Sequence, residues 1–162
     1  MEKILFLDID GVLNSVAYDR IRTREQGNID ETRLPLIREL IEKTNARIVL
    51  TSSWRKHWSS EAVLCDMIGQ DINQVFATHG LQIYDKTPAL KSNDRAAEIR
   101  LWLSEHEEVK AFAIFDDIAF GWGEDLREHL VTTNPRIGRG LEQSHVDRAA
   151  EILTCRKGEK NA

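Results

Sequence analysis

Residues Ile4-Leu5-Phe6-Leu7 form an unbroken apolar run that stops abruptly at Asp8-Ile9-Asp10-Gly11. Four consecutive apolar residues leave no face for water. The run therefore reads as a short strand covered on both sides, the situation of an inner strand in a parallel sheet. Side chains two apart on an extended chain project to the same side, so Asp8 and Asp10 are expected to point into one small volume. Two carboxylates that close repel each other and raise a pKa. A chain tolerates them when a cation sits between them or when one carboxyl is kept protonated for work. Gly11 lets the backbone leave the strand sharply. A calcium-type surface turn or a strand-ending Asp cap would use the same letters.

The pattern of a strand ending in polar residues recurs. Arg47-Ile48-Val49-Leu50 runs into Thr51-Ser52-Ser53, whose hydroxyls and free amides can grip phosphate oxygens. Ala111-Phe112-Ala113-Ile114-Phe115 runs into Asp116-Asp117. Further strands are expected near Gln74–Ala77 and at His129–Thr132. Helical periodicity or caps mark four helices between and after them. The first follows Asp30, tolerates Pro35 and packs Leu34, Ile37, Leu40 and Ile41 on one face. The second is capped by Ser59 or Ser60, runs through Val63, Leu64, Met67 and Ile68, and ends at Gly69. The third opens at Asn93 or Asp94 with Ala96, Ile99, Trp102 and Leu103 inward. The last presents Val146, Ala149, Ala150 and Leu153. Gly121-Trp122-Gly123 reads as a flexible loop, and Pro135 to Gly140 as a turn-rich one.

Alternating strands and helices imply an α/β fold, a mostly parallel sheet of about five strands with helices on both faces and right-handed crossovers. Such sheets bind ligands outside the carboxyl ends of their strands. Asp8, Asp10, Thr51 and Asp116 all fall there.

Residues 14–29 are polar and irregular. Arg20, Arg22 and Arg24 alternate, which suggests a hairpin or extended flap with three guanidiniums on one side, able to fork onto a phosphate. A solvated surface loop is the other reading. Arg55 stands beside the Thr51 loop as a further substrate cation, and the neighbouring Trp54 reads as packing before base stacking.

The size, 162 residues, suits one domain, taken as residues 1–155 with a frayed tail at 156–162. A net charge of −5 argues against a general nucleic-acid coat, though not against a local basic patch. Cys65 and Cys155 have no metal-type spacing, which points to a reduced, cytoplasmic setting. The five histidines also lack ligand spacing. No apolar run approaches the roughly 20 residues of a membrane span, and the N-terminal run is broken by Asp8 and Asp10.

Asp8-Ile9-Asp10-Gly11-Val12-Leu13 resembles the first motif of the haloacid dehalogenase-like (HAD) superfamily of phosphotransferases. The likeness extends through Leu50-Thr51-Ser52-Ser53-Trp54-Arg55, the Arg95 to Leu103 helix, Phe115-Asp116-Asp117 and Gly140-Leu141. It is similar to a small, cap-poor subgroup related to HAD domains of predicted RNA-repair proteins. The resemblance implies a three-layer Rossmann-like fold with a minimal cap. It also implies Mg2+ held by Asp8, the backbone carbonyl of Asp10 and Asp116, with Asp117 in support. Asp8 would be the nucleophile and Asp10 the acid and base. Thr51 would bind the phosphoryl group, with Ser52 as runner-up. Arg95, with Lys91 as the alternative, would neutralise it. The implied activity is phosphomonoester hydrolysis through an aspartyl-phosphate, on nucleic-acid termini or nucleotides, or on a small metabolite phosphate. A dehalogenase would need neither Asp10 nor the metal. A non-catalytic module binding a metal or a partner would keep the fold alone. Nothing in the sequence sets the oligomeric state.

Overall fold

The computed structural model describes residues 2–23, 25–134 and 136–155. Five strands form one sheet in the order β3-β2-β1-β4-β5: β1 Glu2–Leu7, β2 Arg47–Leu50, β3 Ile83–Lys86, β4 Val109–Asp116 and β5 Leu130–Thr132. Every pairing is parallel. The chain adds β2 and β3 on one side of β1, then returns to add β4 and β5 on the other. The strand order thus reverses between β1 and β4, where an open α/β sheet forms its ligand crevice.

Register brings the polar strand ends together. Leu7 is level with Leu50 on one side and with Phe115 on the other. The next residue of each strand, Asp8, Thr51 and Asp116, therefore emerges at the same edge. The ladder continues one step past the strands, with Thr51 N donating to Leu7 O and Asp8 N to Phe115 O, each 3.0 Å.

The helices are α1 Val16–Ile21, α2 Leu34–Thr44, α3 Met67–Thr78, α4 Arg95–Ser104, α5 Gly123–Arg127 and α6 Gln143–Thr154. Alternate residues of β1 feed two cores, as the period of a strand requires. Leu5 and Leu7 join α2, α3 and α6 on one face. Ile4 and Phe6 join α4 and α5 on the other, where Phe6 meets Trp102 edge-to-face at 5.4 Å. Burial of β1 from both sides explains why its apolar residues run without interruption. Among the described residues no helix is long and apolar enough to cross a membrane.

Four expectations need correction. Residues 14–29 are not an extended flap. Ser15 caps α1 through the Tyr18 amide, and on a helical turn side chains two apart diverge. Arg20 is exposed and Arg22 pairs with Asp19 at 3.1 Å, while Arg24 lies outside the described residues. No helix starts at Ser59 or Ser60; Asp66 caps α3 by accepting from the Ile68 and Gly69 amides. Gly69 lies in the first turn of that helix instead of ending it, and a Cβ there would sit 2.0 Å from the His57 carbonyl oxygen. Residues Gln74–Ala77 belong to α3, and the third strand lies later, at Ile83–Lys86. Trp122, expected in a flexible loop, is buried against α4 and donates to Ile118 O at 2.7 Å. Pro135 and the tail at 156–162 lie outside the described residues.

The turn after β1 is fastened from three directions. Thr133 Oγ1 donates to Gly11 O at 2.8 Å. Leu141 N donates to Val12 O at 2.8 Å, and Asp30 N to Leu13 O at 2.7 Å. Gly11 adopts φ +79°, and a Cβ on it would lie 2.6 Å from the Asp117 carboxyl carbon. Both the backbone conformation and the contact exclude a side chain there.

Candidate active site

One guanidinium joins the two buried acids at the β1–β4 crevice. Nη1 of Arg95 lies 2.5 Å from Asp8 Oδ2 and 2.5 Å from Asp116 Oδ2. Arg95 is placed by the start of α4, where the Asp94 side chain caps the Ala97 amide. The second oxygen of each acid is also held: Asp8 Oδ1 accepts from Ile9 N at 2.8 Å, and Asp116 Oδ1 from Ile118 N at 2.9 Å. Asp117 completes the group. Ligand-capable oxygens of Asp8, Asp116 and Asp117 lie within 4.8 Å of one another.

Three carboxylates face one guanidinium, so two negative charges are left unbalanced. Burial, and then the charge of Asp116, push the Asp8 carboxyl up to about 6 against the opposing pull of Arg95. Burial and Asp116 likewise raise Asp117. Burial opposes the charge of Arg95, but its two carboxylate partners more than reverse this and hold the guanidinium protonated. Three hard oxygen donors with surplus negative charge, two of them buried, suit a divalent cation such as Mg2+.

Asp10 is oriented separately. The strand ends at Leu7, so the alternation that would align Asp10 with Asp8 no longer applies. Asp8 is buried against Arg95, whereas Asp10 is exposed. Its Oδ2 accepts from Trp54 Nε1 at 2.9 Å and its Oδ1 from Asn14 Nδ2 at 3.0 Å. Asn14 also accepts from Gly11 N at 2.7 Å and donates to Asn28 O at 3.2 Å.

Thr51 and Ser52 are both fully buried, but their hydroxyls differ. Ser52 Oγ accepts from Trp54 N and caps a 3-10 turn at Ser53–Lys56. Thr51 Oγ1 is buried and has no hydrogen-bond partner among the described residues. Arg55 corrects the sequence reading. It is buried, donates to Thr51 O at 2.5 Å and Ser52 O at 3.0 Å, and pairs with the buried Glu98 at 2.7 Å. It braces the Thr51-Ser52 turn from inside and is not part of an exposed rim. Lys91 is exposed and bonds to no described residue, whereas Arg95 touches two of the acids.

Residues 4–146 match the family described as "HAD domain in Swiss Army Knife RNA repair proteins". The chain belongs to this family. No curated protein and no solved structure matches it. Its all-parallel sheet with flanking helices is a minimal HAD Rossmann-like fold. The membership supports a hydrolase of the HAD type, and the acid cluster of this HAD domain could hold the metal that the superfamily generally uses.

Sequence reasoning missed two sets of partners in the site. Asn14 directly follows the first motif and has no role in the sequence reading, which takes Trp54 as packing. Glu98 is the other omission. An acid among the inward residues of the Arg95 helix was the available signal, since a buried carboxylate needs a partner.

Proposed function

We propose that this HAD domain is a Mg2+-dependent phosphomonoester hydrolase working through an aspartyl-phosphate on Asp8, with residues 1–155 acting as one cytoplasmic catalytic unit. The observation that carries the reading is the buried Asp8–Arg95–Asp116 bridge beside Asp117 at the crevice of the sheet.

Mg2+, held by Asp8, Asp116 and the Asp10 carbonyl with Asp117 in support, would supply positive charge against the phosphate oxygens. The chain's own residues do the rest. Arg95 and the free Thr51 hydroxyl bind phosphoryl oxygens and stabilise the charge that shifts onto them. The Asp8 carboxylate attacks phosphorus, forming a P–O bond as the ester P–O bond breaks. Protonated Asp10 gives its proton to the departing oxygen. Water then attacks the aspartyl-phosphate and passes a proton back to Asp10, releasing phosphate and restoring Asp8. Trp54 and Asn14 hold Asp10 in place for both transfers.

The substrate is a nucleotide or a nucleic-acid terminus, in keeping with the RNA-repair family. The arginine rim that would favour a strand loses its support, since Arg20 and Arg22 are not aligned and Arg55 is buried.

The test is para-nitrophenyl phosphate hydrolysis with Mg2+ and with chelator, together with intact mass after rapid quench. A phosphoryl adduct on wild type that is absent from Asp8→Asn supports the mechanism. Turnover by Asp8→Asn at the wild-type rate overturns it.

A further inference from the structure

A groove of about 520 Å3 opens between residues 25–29, the Ser53–Lys56 turn and α3. It adjoins the acid through two of its walls. Trp54 lines it and donates to Asp10. Asn28 lines it too, and its carbonyl accepts from the same Asn14 amide group that holds Asp10. Asp10 protonates the departing oxygen in the mechanism above, so the group bonded to that oxygen lies on the groove side of the site.

The lining specifies what that group can be. Ile29, Ile68, Ile72 and Val75 join Trp54 as apolar wall, a surface suited to a planar, uncharged ring. The charged lining is Glu25, Glu31 and Asp71 against Lys56. Glu31 is bound by His79 at 2.9 Å; Glu25 and Asp71 have no partner among the described residues. Free carboxylates accept hydrogen bonds from sugar hydroxyls and exocyclic amines, and they repel a second phosphate. The volume lies within the range that encloses a small ligand.

We propose that this groove binds the leaving group and that the leaving group is one nucleoside, so that the substrate is a nucleoside monophosphate and not the phosphorylated end of a strand. The proposal rests on the phosphatase reading, through the role of Asp10.

The experiment compares kcat/KM for adenosine 5′-monophosphate, glycerol phosphate and 5′-phosphorylated diadenylate. Wild type is set beside Val75→Trp, which fills the groove, and Asp71→Lys, which reverses a charge on an exposed position of α3. Melting curves check that each variant folds. Stacking on one aromatic is worth a factor of about ten, so wild type should favour the mononucleotide over glycerol phosphate by at least that factor. Val75→Trp should erase the advantage, and Asp71→Lys should raise the dinucleotide relative to the mononucleotide. Equal ratios in all three proteins, or a wild-type preference for the dinucleotide, overturn the assignment. Equilibrium dialysis of adenosine alone runs in parallel and needs no turnover. If no phosphate ester is hydrolysed, the phosphatase reading falls by itself. The groove assignment then stands on adenosine binding that Val75→Trp abolishes, and falls without it.

Discussion

The indole Nε1 of Trp54 donates to Oδ2 of Asp10 over 2.9 Å, tying the turn after β2 to the turn after β1. With Asn14 on the other carboxylate oxygen, the side chain of Asp10 is fixed at both ends before any substrate arrives. Orientation set in advance is what makes general acid catalysis efficient.

Trp54→Phe keeps most of the ring and removes the donor. The first chemical step on an alkyl phosphate should slow by about tenfold, the worth of one hydrogen bond to a charged group. Para-nitrophenyl phosphate, whose leaving group needs little protonation, should lose less. Single-turnover rates on both esters check this, and equal losses would detach Trp54 from the acid's role.

Asp8 links stability to pH in the metal-free protein. Its carboxyl keeps a proton up to about pH 6 when folded, against 3.8 ordinarily. Between those values the folded state binds more protons, so stability falls as pH rises from about 4 to about 6. The full difference corresponds to about 3 kcal/mol. Asp8→Asn should match wild type near pH 4, exceed it at pH 7 and be inactive throughout. Urea midpoints in chelator at the two pH values measure it, and parallel curves would refute the assignment.

Glu98→Ala should be destabilising by about 3 kcal/mol, because it strands the buried Arg55 charge. Arg55→Met combined with Glu98→Leu should recover much of that loss while kcat/KM stays low, since Thr51 and Ser52 lose the brace on their carbonyls. Full activity in the double variant would reduce the pair to packing.

Asp116→Asn should weaken Mg2+ binding strongly while Arg95 still pairs with Asp8. An amide oxygen is a poorer donor to a hard cation than a carboxylate. Calorimetric titration is the check, and unchanged affinity would move the metal site elsewhere.

The sheet was legible because its inner strands carry signals that nothing contradicts. Ile4–Leu7, Arg47–Leu50 and Ala111–Phe115 each end at a polar residue, and those residues meet at one edge. The start of α4 was legible to within one residue, as Asn93 or Asp94, because cap and inward face agree. Around α3 the signals conflicted. Val63, Leu64 and Met67 have helix-like spacing but are 85 %, 65 % and 81 % exposed, while the true cap, Asp66, sits among them. The arginines at 20 and 22 misled because alternation implies a shared side only on an extended chain. The holders of Asp10 were illegible for another reason. Asn14 and Trp54 meet it through chain turns, and no local period encodes a contact across 44 residues.

The turn that carries Asp10 takes hydrogen bonds from Asp30, Thr133 and Leu141, contributed by separate stretches of chain. No single segment can peel away and free it. Opening that turn requires loosening three separate stretches of chain at once, which assigns it to the slowly opening part of the molecule. In deuterium exchange the amides of Val12 and Leu13, both bonded to Ile9 O, should therefore open with the whole domain, so the carboxylate of Asp10 would serve the proposed proton transfers without a gating motion.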